Sequence, residues 1–109
     1  MADESRERRR LGVPPKALAD FCRRWHIIEL SFFGSVLRDD FGFDSDIDIL
    51  VTYDATARVS AFDHLRAERE LTALAGRPVE LTDRDAVMED ANWLRRQKIL
   101  GSARLLYAA

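Results

Sequence analysis

The chain has 109 residues, 47% of them apolar and 33% charged, with 17 Lys and Arg against 19 Asp and Glu. That length supports one soluble globular domain with a modest core and leaves little chain for a second, substrate-holding lobe. The near-neutral balance excludes a general nucleic-acid binder with a basic face, a lone Cys22 excludes an internal disulfide, and no apolar run is long enough to span a bilayer.

Residues 1–13 read as a polar N-terminal tail and residues 14–109 as a single domain. The one basic cluster, Arg6 to Arg10 in "RERRR", stands in the tail beside Asp3, Glu4 and Glu7, and is expected to be frayed and solvated. Pro14-Pro15 suits a helix start, where a missing N–H is harmless. Leu18, Phe21, Cys22 and Trp25 then recur at i, i+3, i+4 and i+7 on one helical face, which makes Cys22 a buried thiol rather than a nucleophile. "IIELSFF", Ile27 to Phe33, is β-branched, aromatic and stopped by a glycine, as a buried strand should be. "SVLRDDF" makes a short helix or turn, and "GFDS" a turn. In "DIDILVTY", Asp46 to Tyr53, strand alternation puts Asp46, Asp48 and Leu50 on one face and Ile47, Ile49 and Val51 on the other.

Ser60 to Ala75 reads as a helix closed by Gly76, with Ala61, Leu65, Leu71 and Ala75 as its buried stripe. Glu68 interrupts that stripe, either as an edge residue or as part of an interface. "RPVELT", Arg77 to Thr82, is a third strand. Thr82 and Asp85 resemble a capping box opening a helix to about Leu100, which Gly101 breaks before a last strand, "ARLLY". Helices alternating with strands make an α/β or α+β domain.

Five aspartates fall within the ten positions from Asp39 to Asp48. Asp46 and Asp48, at i and i+2 on a strand, project their carboxylates from one face. Edge strands do carry isolated acids against aggregation, but two on one face of so apolar a strand fit a cleft better. Paired carboxylates hold hard divalent cations, and Mg²⁺ keeps open positions for phosphate oxygens. Asp39, Asp40 and Asp44 are expected to be solvated loop residues. Gly34-Ser35 leaves the preceding strand directly, so backbone N–H groups there can cradle phosphate, with the Ser35 hydroxyl and Arg38 one turn on as further donors. His26 and His64 have no ligand-like spacing to the acids and are expected at the surface or in packing. Trp25 and Trp93 are expected in the core or an interface, and Phe41 and Phe43 in loop packing beside the cleft.

Gly-Ser, ten residues and Asp-x-Asp together resemble the signature of the polymerase-β-like nucleotidyltransferases. The stretch "GSVLRDDFGFDSDIDILV" looks like the minimal nucleotidyltransferase (MNT) group, and the likeness continues through "LAGRPVELTDRDAV" and "ILGSARLLY". The resemblance implies a small mixed β-sheet flanked by helices, with Gly34 and Ser35 on the triphosphate and two Mg²⁺ ions on Asp46, Asp48 and a third acid. That third acid falls at Glu80, where the family usually has Asp. It implies that NMP passes from an NTP, expected here to be ATP, to an acceptor hydroxyl with release of pyrophosphate, while the lone Cys22 and the short apolar runs point to the cytoplasm. Minimal members commonly pair with a HEPN-type ribonuclease toxin, and some AMPylate a tyrosine on it. The expectation is therefore an antitoxin that modifies such a toxin in a hetero-oligomer, with no direct nucleic-acid or membrane contact. The alternatives are neutralisation by binding alone, to which the Glu80 departure points, and nucleotidyl transfer to a small molecule, which the missing second domain weakens.

Overall fold

The computed structural model describes residues 5–42 and 44–109, so Phe43 lies outside the described residues. The elements run α1 (Arg6–Leu11), α2 (Pro15–Arg24), β1 (Ile27–Phe33), a 3₁₀ turn (Gly34–Leu37), β2 (Ile47–Tyr53), α3 (Ala61–Ala75), β3 (Val79–Asp83), α4 (Arg84–Met88), α5 (Trp93–Ser102) and β4 (Arg104–Ala108). The four strands form one mixed sheet in the order β3-β2-β1-β4. β1 pairs antiparallel with both β2 and β4, while β2 and β3, joined through α3, run parallel. This is the mixed α/β architecture expected from the sequence. No helix among the described residues is long and apolar enough to cross a membrane.

α2 begins with Pro14 as N-cap and Pro15 in its first turn, and it buries Leu18, Phe21 and Cys22 against the sheet. Cys22 is fully buried, and loss of solvent pushes its thiol up to about 12, so it is inert at neutral pH. Phe32, Ile47, Ile49, Val51, Leu71 and Leu81 complete the core, as the alternation in "DIDILV" requires. Leu50, on the acid face, is also buried, and it closes that face between the half-buried Asp48 and Thr52.

The N-terminal segment departs from expectation. Residues 6–11 are helical, capped by the Ser5 side chain and closed by Gly12 in the left-handed conformation. Leu11 is 1% exposed and Val13 9%, so both belong to the core. The arginines are not solvated tail charges: Arg6, Arg8 and Arg10 donate to the backbone carbonyls of Leu37, Leu106 and Val36.

The buried stripe of α3 also differs. Its capping box (Ser60 and Asp63) and its Gly76 stop are as expected, but Ala61 and Leu65 face solvent and the buried residues are Ala67 and Leu71. The reason lies in β3, an edge strand whose outward backbone groups need partners. His64, Glu68 and Thr72, one turn apart on α3, supply them. His64 Nε2 lies 2.9 Å from the Leu81 carbonyl, Glu68 Oε2 accepts from the Leu81 N–H at 2.8 Å, and Thr72 Oγ1 accepts from the Val79 N–H at 3.0 Å. With Nε2 donating, His64 Nδ1 accepts from the Tyr53 hydroxyl at 2.8 Å. Glu68 is thus an internal latch, and it fixes the strand that carries Glu80.

Two helices replace the single one expected after β3. Asp83, not Thr82, caps α4 by accepting from the Asp85 N–H. The chain breaks at residues 89–92, where Asp90 accepts from the Asn92 N–H and Asn92 caps α5. Short polar side chains that bond nearby backbone compete with helix continuation. Gly101 does not stop α5, which reaches Ser102.

Candidate active site

The parallel register of β2 and β3 sets Asp48 directly beside Glu80. Residues opposite one another in a sheet share a face and stand about 5 Å apart, so these carboxyls are neighbours. Asp46 precedes Asp48 by two on the same face. Asp48 is half-buried, while Asp46 and Glu80 are exposed. Asp48 is pushed up to about 6, first by burial, then by the charge and hydrogen bond of Glu80 and by the charge of Asp46, with the Ser35 backbone N–H working the other way. A carboxylate kept half-buried beside two like charges does nothing for the fold, and a group perturbed as Asp48 is marks a functional site.

Gly34 forms part of this cluster. Its φ is +74°, a conformation that side chains disfavour, and a Cβ there would lie 2.5 Å from Asp48 Oδ2. The glycine therefore makes room for the Asp48 carboxylate as well as permitting the sharp exit from β1. Gly34→Ala is expected to cost about 1–2 kcal/mol from the left-handed backbone alone. It would also drive Asp48 off its position. Denaturant unfolding together with a divalent-cation titration checks both effects.

The Ser35 hydroxyl donates to the Asp46 carbonyl at 3.0 Å, which ties the Gly-Ser turn to the first acid. Ser35→Ala should therefore lower stability by about 1 kcal/mol, the usual net value of one hydrogen bond. Arg38 is set differently. Its side chain is exposed and its Nε lies 3.5 Å from Asp40, so its partner in the structure is Asp40 and not the cluster. Asp39, Asp40 and Asp44 are exposed, as expected, though Asp39 also pairs with Arg6. Trp25 packs against the core and donates to Glu70, whereas Trp93 is 55% exposed. His26 is exposed, and His64 serves packing between Tyr53 and β3.

An all-oxygen acidic donor set beside a glycine turn suits a hard divalent cation. Among the described residues no three potential ligands already stand in coordination geometry. The acids are a charge cluster whose two exposed members, Asp46 and Glu80, have solvent around them in which to turn toward a cation.

A family model for the nucleotidyltransferase domain matches residues 15–106, most of the chain and all of the acid cluster. The chain belongs to the nucleotidyltransferase domain family. Among solved structures, one assigned as a minimal nucleotidyltransferase is 30% identical, with a TM-score of 0.64 over 84% of this chain and 87% of the other. A toxin–antitoxin structure with AMP-PNP gives 18% identity and a TM-score of 0.64, over 84% of this chain and 71% of the other. A tri-AMPylated HEPN toxin of Shewanella oneidensis in complex with its MNT antitoxin gives 18% and 0.57, over 86% and 69%. At those lower identities the likeness is one of fold. No curated protein matches the chain. In this nucleotidyltransferase the Gly34–Glu80 constellation lies at the junction of β1, β2 and β3, and α1 lies outside the matched span.

Proposed function

We propose that this nucleotidyltransferase transfers AMP from ATP to a hydroxyl of a separate protein, a HEPN-type toxin, and neutralises it by that modification. The observation that carries the reading is the convergence of Asp46, Asp48 and Glu80 beside the Gly34-Ser35 turn. Backbone N–H groups of the turn would hold the triphosphate. Asp46 and Asp48, with Glu80, would hold Mg²⁺ ions, which when bound neutralise phosphate charge and orient the reacting groups. The acceptor oxygen forms a bond to the α-phosphorus as the bond to pyrophosphate breaks, and Glu80 or solvent takes the hydroxyl proton. The fold is shared with antitoxins solved on HEPN toxins, one of them AMPylated.

The experiment is intact-mass spectrometry of the HEPN partner after incubation with this protein, ATP and Mg²⁺. The expected result is one or more adenylyl additions that accompany loss of ribonuclease activity. A phosphodiester placed near an RNA-binding surface adds negative charge, and that charge repels the RNA backbone after the antitoxin has left. Neutralisation without any mass change would instead support binding alone, the reading that the longer side chain of Glu80 favours.

A further inference from the structure

The loop from Val36 to Ser45 joins the Gly-Ser turn to Asp46, and among its described residues there is no helix or strand outside the 3₁₀ turn. Guanidinium groups from outside the loop take several of its carbonyls, one of which, Gly42, also accepts from the Ser45 N–H at 3.0 Å. Arg10 Nη1 donates to the Val36 carbonyl at 2.9 Å and the Arg38 carbonyl at 2.6 Å. Arg6 donates to the Leu37 carbonyl at 2.7 Å and to Asp39 at 2.5 Å. From the start of β3, Arg77 donates to the Gly42 carbonyl at 3.4 Å. Phe41 stands between the two sides: the Arg10 and Arg77 guanidiniums lie 4.8 and 4.7 Å from its ring centroid.

We propose that α1 is a positioning clamp for this loop. Arg10 and Arg6 grip its first half, Arg77 grips its middle through Phe41 and Gly42, and together they fix the spacing of the Gly34-Ser35 turn and Asp46. Arginine suits this task because its planar, permanently charged fork serves several carbonyls and a ring face at once. These arginines are positioning residues: Arg6 pairs with Asp39 of the loop, and none of them pairs with Asp46, Asp48 or Glu80. The clamp's bearing on nucleotide rests on the nucleotidyl-transfer reading, whereas its grip on the loop does not.

Arg8 separates a clamp from mere packing. It anchors the same helix elsewhere, through the Leu106 carbonyl of β4 at 2.5 Å. In the full chain, Arg8→Ala and Arg10→Ala should both lower Tm, Arg10→Ala the more, since Arg8 loses one carbonyl bond and Arg10 loses two and its contact with the Phe41 ring. Only Arg10→Ala should speed amide exchange across residues 38–45 and weaken calorimetric binding of Mg²⁺ with AMP-PNP, by about tenfold for one such anchor. Arg10→Lys, which keeps donors and charge but loses the fork, should recover part of both effects. Arg77→Ala acts on the same loop from β3 and provides the test if Arg10→Ala does not fold. Wild-type exchange in both Arg10→Ala and Arg77→Ala overturns the clamp, as does an equal effect of Arg8→Ala on exchange and affinity. If the wild type takes up no AMP-PNP, the nucleotide reading fails, and the exchange rates alone decide the clamp.

Discussion

Asp48→Asn is expected to lower AMP transfer by about two to three orders of magnitude, the scale on which loss of a key electrostatic group acts. It should at the same time make the cation-free protein more stable. The two effects have one origin. Asp48 is ionised at neutral pH against Glu80, Asp46 and partial burial, and Asn removes that charge while its amide oxygen can still accept from the Ser35 N–H. A carboxyl whose folded-state value of about 6 exceeds its ordinary 3.8 penalises the fold fully above pH 6. The penalty shrinks as pH falls through that value and is gone below 3.8. Solvent at this half-exposed site screens much of it, leaving about 1 kcal/mol, or a few degrees in Tm.

The measurement is a pair of thermal melts at pH 7 and pH 4 without divalent cations, with and without the substitution. The Asn variant should melt higher at pH 7 and level with the wild type at pH 4. Adding Mg²⁺ should raise the wild-type Tm more than that of the variant, which keeps only Asp46 and Glu80 of the three charges. A structural aspartate would behave in the opposite way: its removal would lower Tm and leave transfer intact.

The same physics explains what the sequence made legible. Gly34, Ser35, Asp46 and Asp48 lie within fifteen positions on a strand exit and a strand start, so local periodicity alone brings them to one place. β1 is readable to its residue limits because β-branched and aromatic residues bound its apolar run from Ile27 to Phe33, interrupted only by Glu29 and Ser31, and a glycine ends it. The role of residues 6–11 was not. Their anchors are 26 and 31 positions away for Arg10 and Arg6, and an arginine-rich run carries no apolar stripe to announce a packed face. The buried face of α3 was misread for a related reason. His64, Glu68 and Thr72 occupy its sheet-facing positions because an edge strand presents backbone there, whereas a search for apolar spacing looks past polar residues. Counting one turn from Ser35 sets Arg38 beside the Gly-Ser turn but does not give the direction of its side chain. The 3₁₀ turn ends at Leu37, and extended backbone at Arg38 leaves its side chain beside Asp40.

Glu80 decides how far this protein acts as an enzyme. Its backbone is held on both sides, by β2 in parallel register and by the Glu68 and Thr72 latch on Val79 and Leu81, so substitutions at the exposed side chain should leave the strand in place. Glu80→Gln keeps the size and removes the charge. If Glu80 completes the acid cluster, single-turnover AMP transfer in this variant should fall by about two orders of magnitude or more. The cation-free protein should again melt slightly higher, because Asp48 loses a repelling neighbour. Glu80→Asp keeps the charge and shortens the reach by one methylene, giving the acid that the resemblance leads one to expect there. Transfer should then equal or exceed that of the wild type, as expected where an ångström of misplacement in a reacting geometry is costly. Equal transfer in all three forms would reduce Glu80 to a strand residue and leave the chemistry to Asp46 and Asp48. Transfer absent from the wild type but present in Glu80→Asp would mean that the longer side chain has silenced the site, and that neutralisation of the partner proceeds by contact.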